Sequence, residues 1–147
     1  MPDRVVVDSC VIAAVFFRED ASDAAARAIG GSDCTTIDLA YAEVSNVAWK
    51  RVRFFGHDRN QVQTALVAAR EFIRDTCDVL PASGLMDEAF DLACRESVTI
   101  YDALFVAASD RERVPLVTLD ARLYEQIQRT HPSLLVAQNP PQPQSDP

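Results

Sequence analysis

Val5-Val6-Val7 is an unbroken run of three β-branched residues, and no other stretch constrains the fold of this chain so tightly. β-Branched side chains favour extended backbone. A strand with one wet face alternates apolar and polar residues, whereas a continuous apolar run has no face to give to water and needs cover on both sides. That describes a strand of a mainly parallel sheet held between helices. Leu116-Val117-Thr118-Leu119 repeats the pattern far along the chain. Each run stops at an acid, Asp8 and Asp120, and each acid is followed by a helix-like segment.

Strand and helix signals alternate between these two runs. A short apolar helix (about 11–17) and an Ala-rich one (about 21–29) follow the first strand, closed by Gly30-Gly31. A second strand is expected at 34–37 and a helix at 39–53, ended by Phe54-Phe55-Gly56. Val62, Ala65, Leu66, Ala69, Phe72, Ile73 and Thr76 then mark one face of a long amphipathic helix. Val79-Leu80 reads as a brief third strand, and Met86, Ala89, Phe90, Ala93 and Cys94 as the buried stripe of the next helix. Ala103 to Ala108 is apolar all round, so its helix is expected to be central. After the strand at 115–119 come a last helix containing Leu123 to Ile127 and an edge strand at 134–136. The expected architecture is α/β: a three-layer α/β/α domain over residues 1–137, with a central, mainly parallel sheet of four or five strands. Residues 138–147 are Pro- and Gln-rich and read as a disordered tail.

A chain of 147 residues is long enough to bury a real core. No apolar run reaches the roughly 18 residues of a membrane span, and the first residues lack a signal-peptide layout. The expectation is a cytoplasmic protein with no membrane contact. Cys10, Cys34, Cys77 and Cys94 are scattered without the paired spacing of a zinc site, and read as four buried, reduced thiols. His57 and His131 have no ligand partner at metal spacing and read as surface residues.

The acids carry the functional signal. Ligands of open α/β sheets bind in the crevice beyond the carboxyl ends of the strands, where Asp8 and Asp120 both stand. Glu43 falls inside the helix at 39–53, at the border of the buried side marked by Val44, Val47 and Ala48. Asn46 and Lys50 share its stripe. Asp102 opens the apolar helix after Ile100-Tyr101. Taken singly, Asp8, Asp102 and Asp120 fit helix caps, as does Ser9, and Asp38 fits a residue complementing a helix dipole. Glu43 does not fit a cap. Clustered carboxylates are costly unless a proton or cation neutralises them, and a hard divalent cation with oxygen ligands does so.

Val-Val-Val-Asp8-Ser9, Glu43 in Glu-Val-Ser-Asn-Val-Ala-Trp-Lys-Arg, Tyr101-Asp102-Ala103-Leu104 and Val117-Thr118-Leu119-Asp120 together resemble a PIN domain. The order and spacing of these pieces over residues 4–137 are similar to the VapC-type ribonuclease toxins of toxin–antitoxin systems. The resemblance implies strand order 3-2-1-4-5 and a pocket of Asp8, Glu43, Asp102 and Asp120 holding one or two Mg²⁺ or Mn²⁺ ions, with Ser9 and Thr118 in support; Asn46 joins them as a supporting residue on its spacing from Glu43. It also implies hydrolysis of RNA to 5′-phosphate and 3′-hydroxyl ends, a cognate antitoxin and a homodimer. Some family members carry a further acid just after the position of Asp120; here Ala121 and Arg122 follow, which leaves a second ion in question.

A net charge of -8 is unusual for a protein that handles nucleic acid. Lys50, Arg51 and Arg53 concentrate positive charge just beyond Glu43 and are the candidates for phosphate contacts, although cations also favour a helix C-terminus. The alternative within the same fold is a non-catalytic or RNA-processing module that binds RNA or a protein, which would not need four acids. A phosphohydrolase of the haloacid-dehalogenase type would need a second Asp two residues after Asp8, where Cys10 stands.

Overall fold

Five parallel strands lie in the order β3-β2-β1-β4-β5 in the computed structural model, which describes residues 2–136. They are β1 (Arg4–Val7), β2 (Asp33–Ile37), β3 (Asp78–Leu80), β4 (Leu116–Thr118) and β5 (Ser133–Leu135). The three valines of β1 have no accessible surface, as their unbroken apolar run requires. The helices are α1 (Ser9–Phe16), α2 (Ser22–Ile29), α3 (Leu39–Arg53), α4 (Arg59–Asp75), α5 (Met86–Glu96), α6 (Ile100–Glu112) and α7 (Ala121–Ile127). Helices α1 to α4 pack on one another, while α6 packs on α5 and lies across β1, β2 and β4. Sheet and helices together form the expected α/β/α layering with the expected strand order.

The chain leaves β1 for β2 and β3 on one side and returns through α5 and α6 to β4 on the other. The strand order therefore reverses between β1 and β4, where Val7 is paired with Val117. The peptide N–H of Asp8 donates to the carbonyl of Val117 at 3.0 Å, extending that pairing one residue further. A crevice opens at such a reversal because the connections from the two strands diverge. Thr36, wholly buried in β2, uses its hydroxyl to donate to Val7 O at 2.9 Å, so a polar side chain is satisfied inside the core beside β1.

Three expectations about side chains are overturned. The buried face of α5 consists of Ala89 and Leu92, with Ala93 partly covered, whereas Met86, Phe90 and Cys94 are exposed. α5 packs on α6 through this narrow face, and its larger side chains stay on the outer arc. His131 is buried, because its N–H donates to Ile127 O and folds it against the end of α7. Its Nδ1 lies 2.7 Å from Asp110 Oδ1. Of the cysteines only Cys34 and Cys77 are buried; Cys10 is partly covered, and all four are free thiols.

The Pro/Gln-rich stretch expected at 138–147 lies outside the described residues. Among the described residues, no helix is long and apolar enough to cross a membrane.

Candidate active site at the carboxyl end of the sheet

Asp8 is the centre of the site. It directly follows β1 and stands at the N-cap position of α1, yet its side chain makes no capping bond. Instead Thr118, the last residue of β4, donates its hydroxyl to Asp8 Oδ2 at 2.9 Å. The same Thr118 oxygen accepts the N–H of Asp120 at 3.0 Å, so one buried hydroxyl fixes the relation between the two strand-end acids. Ser9 places its hydroxyl 3.1 Å from Glu43 Oε1 and 3.4 Å from Asp8 Oδ1. One hydroxyl thus links two carboxylates, and its bond to Glu43 favours the ionised form against the burial of that side chain.

The other two acids arrive on helices. Glu43 is in the second turn of α3, partly buried, next to the buried Val44. Asp102 lies inside the first turn of α6; Thr99 is the cap, its hydroxyl accepting the N–H of Asp102 at 3.2 Å. The capping reading therefore fails for Asp8 and Asp102. It holds for Asp120, whose Oδ1 accepts the N–H of Leu123 at 3.1 Å. Asp38 is not a dipole partner alone either, since its Oδ1 accepts the N–H of Ala82 and ties α3 to the loop after β3.

The electrostatics bind these acids into one group. Burial raises the proton affinity of Asp8, with a smaller contribution from Asp120, against the opposing bond from Thr118. Glu43 is pushed up to about 7, first by burial and then by the charges of Asp8 and Asp102. Asp102 is raised by burial and then by Asp8 and Asp120. Among the described residues, no Lys, Arg or His forms an ion pair with any of the four. These carboxylates repel one another without a protein cation to relieve them.

A family model for the PIN domain matches residues 5–127. This chain belongs to the PIN domain family. Ribonuclease VapC3 of Pyrobaculum aerophilum is 34% identical to it over 123 residues, a span covering 83% of this chain and 93% of that protein. The fold is also that of PAE2754 from Pyrobaculum aerophilum, at a TM-score of 0.65 and 21% identity, covering 84% of this chain and 78% of that one. A toxin–antitoxin complex from Klebsiella pneumoniae matches at a TM-score of 0.66 and 15% identity, over 92% of this chain and 99% of that one.

Beside the acids of this PIN domain lies a cleft of about 470 Å³ lined by Glu43, Ser9, Asn46, Lys50 and Tyr101. Asn46 and Lys50 thus share the Glu43 side of α3, as their spacing predicts. Arg51 and Arg53 do not line this cleft. Arg51 donates to Arg18 O at 3.0 Å and to Glu19 Oε2 at 2.8 Å, and its guanidinium lies 5.8 Å from the Phe17 ring centre. It sits some 80° round the helix from Glu43, at 100° per residue, so it points to the segment that follows α1 rather than along the acid stripe.

Two contributors are absent from the site residues expected from sequence, and only one of them left a signal there. Cys10 lines the cleft, with its sulfur 3.7 Å from Thr118 Oγ1 and accepting the N–H of Leu119 at 3.4 Å. Burial and the neighbouring Asp8 raise its proton affinity, so it acts as a neutral thiol filling space beside the acids. Nothing in its spacing announces that. Thr99, the cap of α6, was legible, because Thr99 followed three residues later by Asp102 is a helix-start pattern.

Proposed function

We infer that this PIN domain is a divalent-cation-dependent endoribonuclease, and that it serves as the toxin of a type II toxin–antitoxin pair. The observation that carries the reading is the group of three acids, Asp8, Glu43 and Asp102, all driven toward protonation first by burial and then by neighbouring carboxylates, with no ion pair to relieve them among the described residues. A set of carboxylate and hydroxyl oxygens suits Mg²⁺ or Mn²⁺, and Asp8, Glu43, Asp102 and Asp120 would hold it. Among the described residues, no three His, Cys, Asp or Glu side chains converge closely enough to cage an ion as they stand. Mg²⁺ usually takes one or two carboxylates and keeps several waters, so its binding does not require all four acids to touch the ion. When bound, such an ion supplies a water of lowered pKa and offsets the charge that builds on a phosphodiester under attack.

The chain's own residues have distinct tasks in this scheme. Thr118 holds the Asp8 carboxylate in one orientation and favours its ionised form against its burial. Ser9 links Asp8 with Glu43 through its hydroxyl and so would hold two of the ion's carboxylates in register. Lys50 lines the cleft, and in this reading it would bind a phosphate of the strand being cut.

The relative at 34% identity, itself named a ribonuclease, supports ribonuclease activity. The Klebsiella pneumoniae structure, a toxin bound to its antitoxin, supports an antitoxin partner. Homodimer formation, implied by the family resemblance, belongs to the same proposal. The deciding assay incubates structured RNA with wild type and Asp8→Ala, in Mg²⁺ or Mn²⁺ and in EDTA. Cleavage is expected only for wild type with the ion, with 5′-phosphate ends. Cleavage that survives EDTA or the loss of Asp8 would refute the mechanism.

A further inference from the structure

A second groove, of about 790 Å³, runs between α3 and α4 on another side of α3 from the acids. Its floor includes Val52 and Leu66, and Trp49, Arg53, Arg59 and Arg70 stand around it. No Asp or Glu lines it, although the chain has 22 acids against 14 basic residues. None of the three arginines has an ion-pair partner among the described residues. Trp49 is 53% exposed, packed edge-on against the exposed Phe54 with ring centres 5.2 Å apart, and the Arg53 guanidinium lies 5.5 Å from the Phe54 ring centre. Large aromatic faces left in water beside three unpaired guanidinium groups are costly surface for an isolated acidic domain.

We propose that this groove binds single-stranded RNA, leading the strand along α3 to the acids; the assignment rests on the ribonuclease reading of those acids. Guanidinium groups pair with phosphates, and bases stack on flat aromatic faces without regard to sequence. An acidic peptide would satisfy the arginines but leave the Trp49 and Phe54 faces without a matching partner, which is why RNA is the better occupant. Both grooves border α3. Asn46 and Lys50 line the acid-side cleft and Trp49 and Arg53 line this one; Asn46, Trp49 and Arg53 fall three and seven residues apart on one stripe of the helix, along which a strand would pass from one groove to the other. Trp49 and Arg53 lie roughly 9–15 Å beyond Glu43 at the 1.5 Å rise of a helix. The groove thus engages RNA a few nucleotides away from the bond that is cut, and its residues position substrate without touching the reacting atoms.

Trp49 is the chain's only tryptophan, so its fluorescence reports the groove directly. In EDTA, where no cleavage is expected, titration with a single-stranded oligoribonucleotide quenches Trp49 saturably, and added salt weakens binding. In R53Q/R59Q/R70Q the slope of log affinity against log salt falls by about 2, since each single-strand phosphate contact contributes about 0.7. Replacing the same three arginines by lysine restores the slope. With Mn²⁺, the glutamine variant and Trp49→Ala raise KM for the oligonucleotide by about tenfold at nearly unchanged kcat, and Trp49→Phe recovers most of the loss. An unquenched Trp49, an unchanged salt slope or an unchanged KM overturns the proposal while leaving the Asp8→Ala test of ribonuclease activity intact. Tighter quenching by a poly-glutamate peptide than by RNA at equal salt also overturns it, in favour of an acidic protein segment. Wild type that cuts no RNA removes the ribonuclease reading, and the quenching titration then decides the groove alone.

Discussion

Substituting Glu43 by Gln removes one charge from the acid group at nearly constant shape, and the structure fixes the sign of the resulting change in stability. The carboxyl of Glu43 is moved from 4.5 to about 7 by burial and by the charges of Asp8 and Asp102. A group that binds its proton more tightly folded than unfolded stabilises the fold fully below its unfolded pKa. That stabilisation is lost as the pH climbs through the folded value, here between about 4.5 and about 7. At 1.36 kcal/mol per pH unit the whole interval is worth about 3 kcal/mol. Glu43 is only partly buried, and water reaching it reduces this to roughly 1–2 kcal/mol. For a domain of this size, that is on the order of 3–8 °C in Tm. Melting curves in EDTA are therefore expected to fall from pH 4.5 to 7.5 for wild type, more steeply than for Glu43→Gln. Mn²⁺ at neutral pH should raise wild type more than the variant, because an ion that binds only the folded state stabilises it by mass action. Parallel pH profiles for the two proteins in EDTA would refute the reasoning, since they would mean that Glu43 titrates alike folded and unfolded.

Thr118→Val keeps the side-chain shape but leaves Asp8 Oδ2 and the Asp120 N–H without their shared hydroxyl, a loss of about 1–3 kcal/mol. Because that hydroxyl favours ionised Asp8, its removal should move the acid limb of the kcat profile to higher pH; an unmoved limb would separate Thr118 from the chemistry. Arg51→Ala should lower stability by about 1–2 kcal/mol in urea melts, through lost packing and charged hydrogen bonds, with kcat/KM on RNA nearly unchanged. A large rise in KM would instead return Arg51 to the substrate-binding set.

Much of this protein is local and therefore legible without coordinates. Three consecutive valines cannot form a strand with a wet face, so the double-sided sheet follows from Val5 to Val7 alone. Glu43 in mid-helix and its row with Asn46 and Lys50 follow from the period of the helix. The layout of the four acids, matched to a known family, also anticipated the strand order seen in the sheet. The same locality explains the misreadings. Periodicity identifies an apolar arc on α5 but not which part of it α6 covers, and the packing buries Ala89 and Leu92 while leaving Met86 and Phe90 exposed. Positive charge near Glu43 is visible in Lys50, Arg51 and Arg53, but the direction of each side chain depends on helix phase and on neighbours such as Glu19. His131 looks like a loop residue until the end of α7 turns it inward against Asp110.

The sequence by itself determined the kinds of element, their order and the types of residue available at the strand ends. Only the tertiary structure decided that Asp8 is held by Thr118 from another strand, that Asp120 caps a helix while Asp8 and Asp102 do not, and that burial raises the proton affinities of Asp8, Glu43 and Asp102 together. Hydrogen bonds between residues 110 positions apart, and the exclusion of water that raises proton affinities, exist only once distant segments share one space.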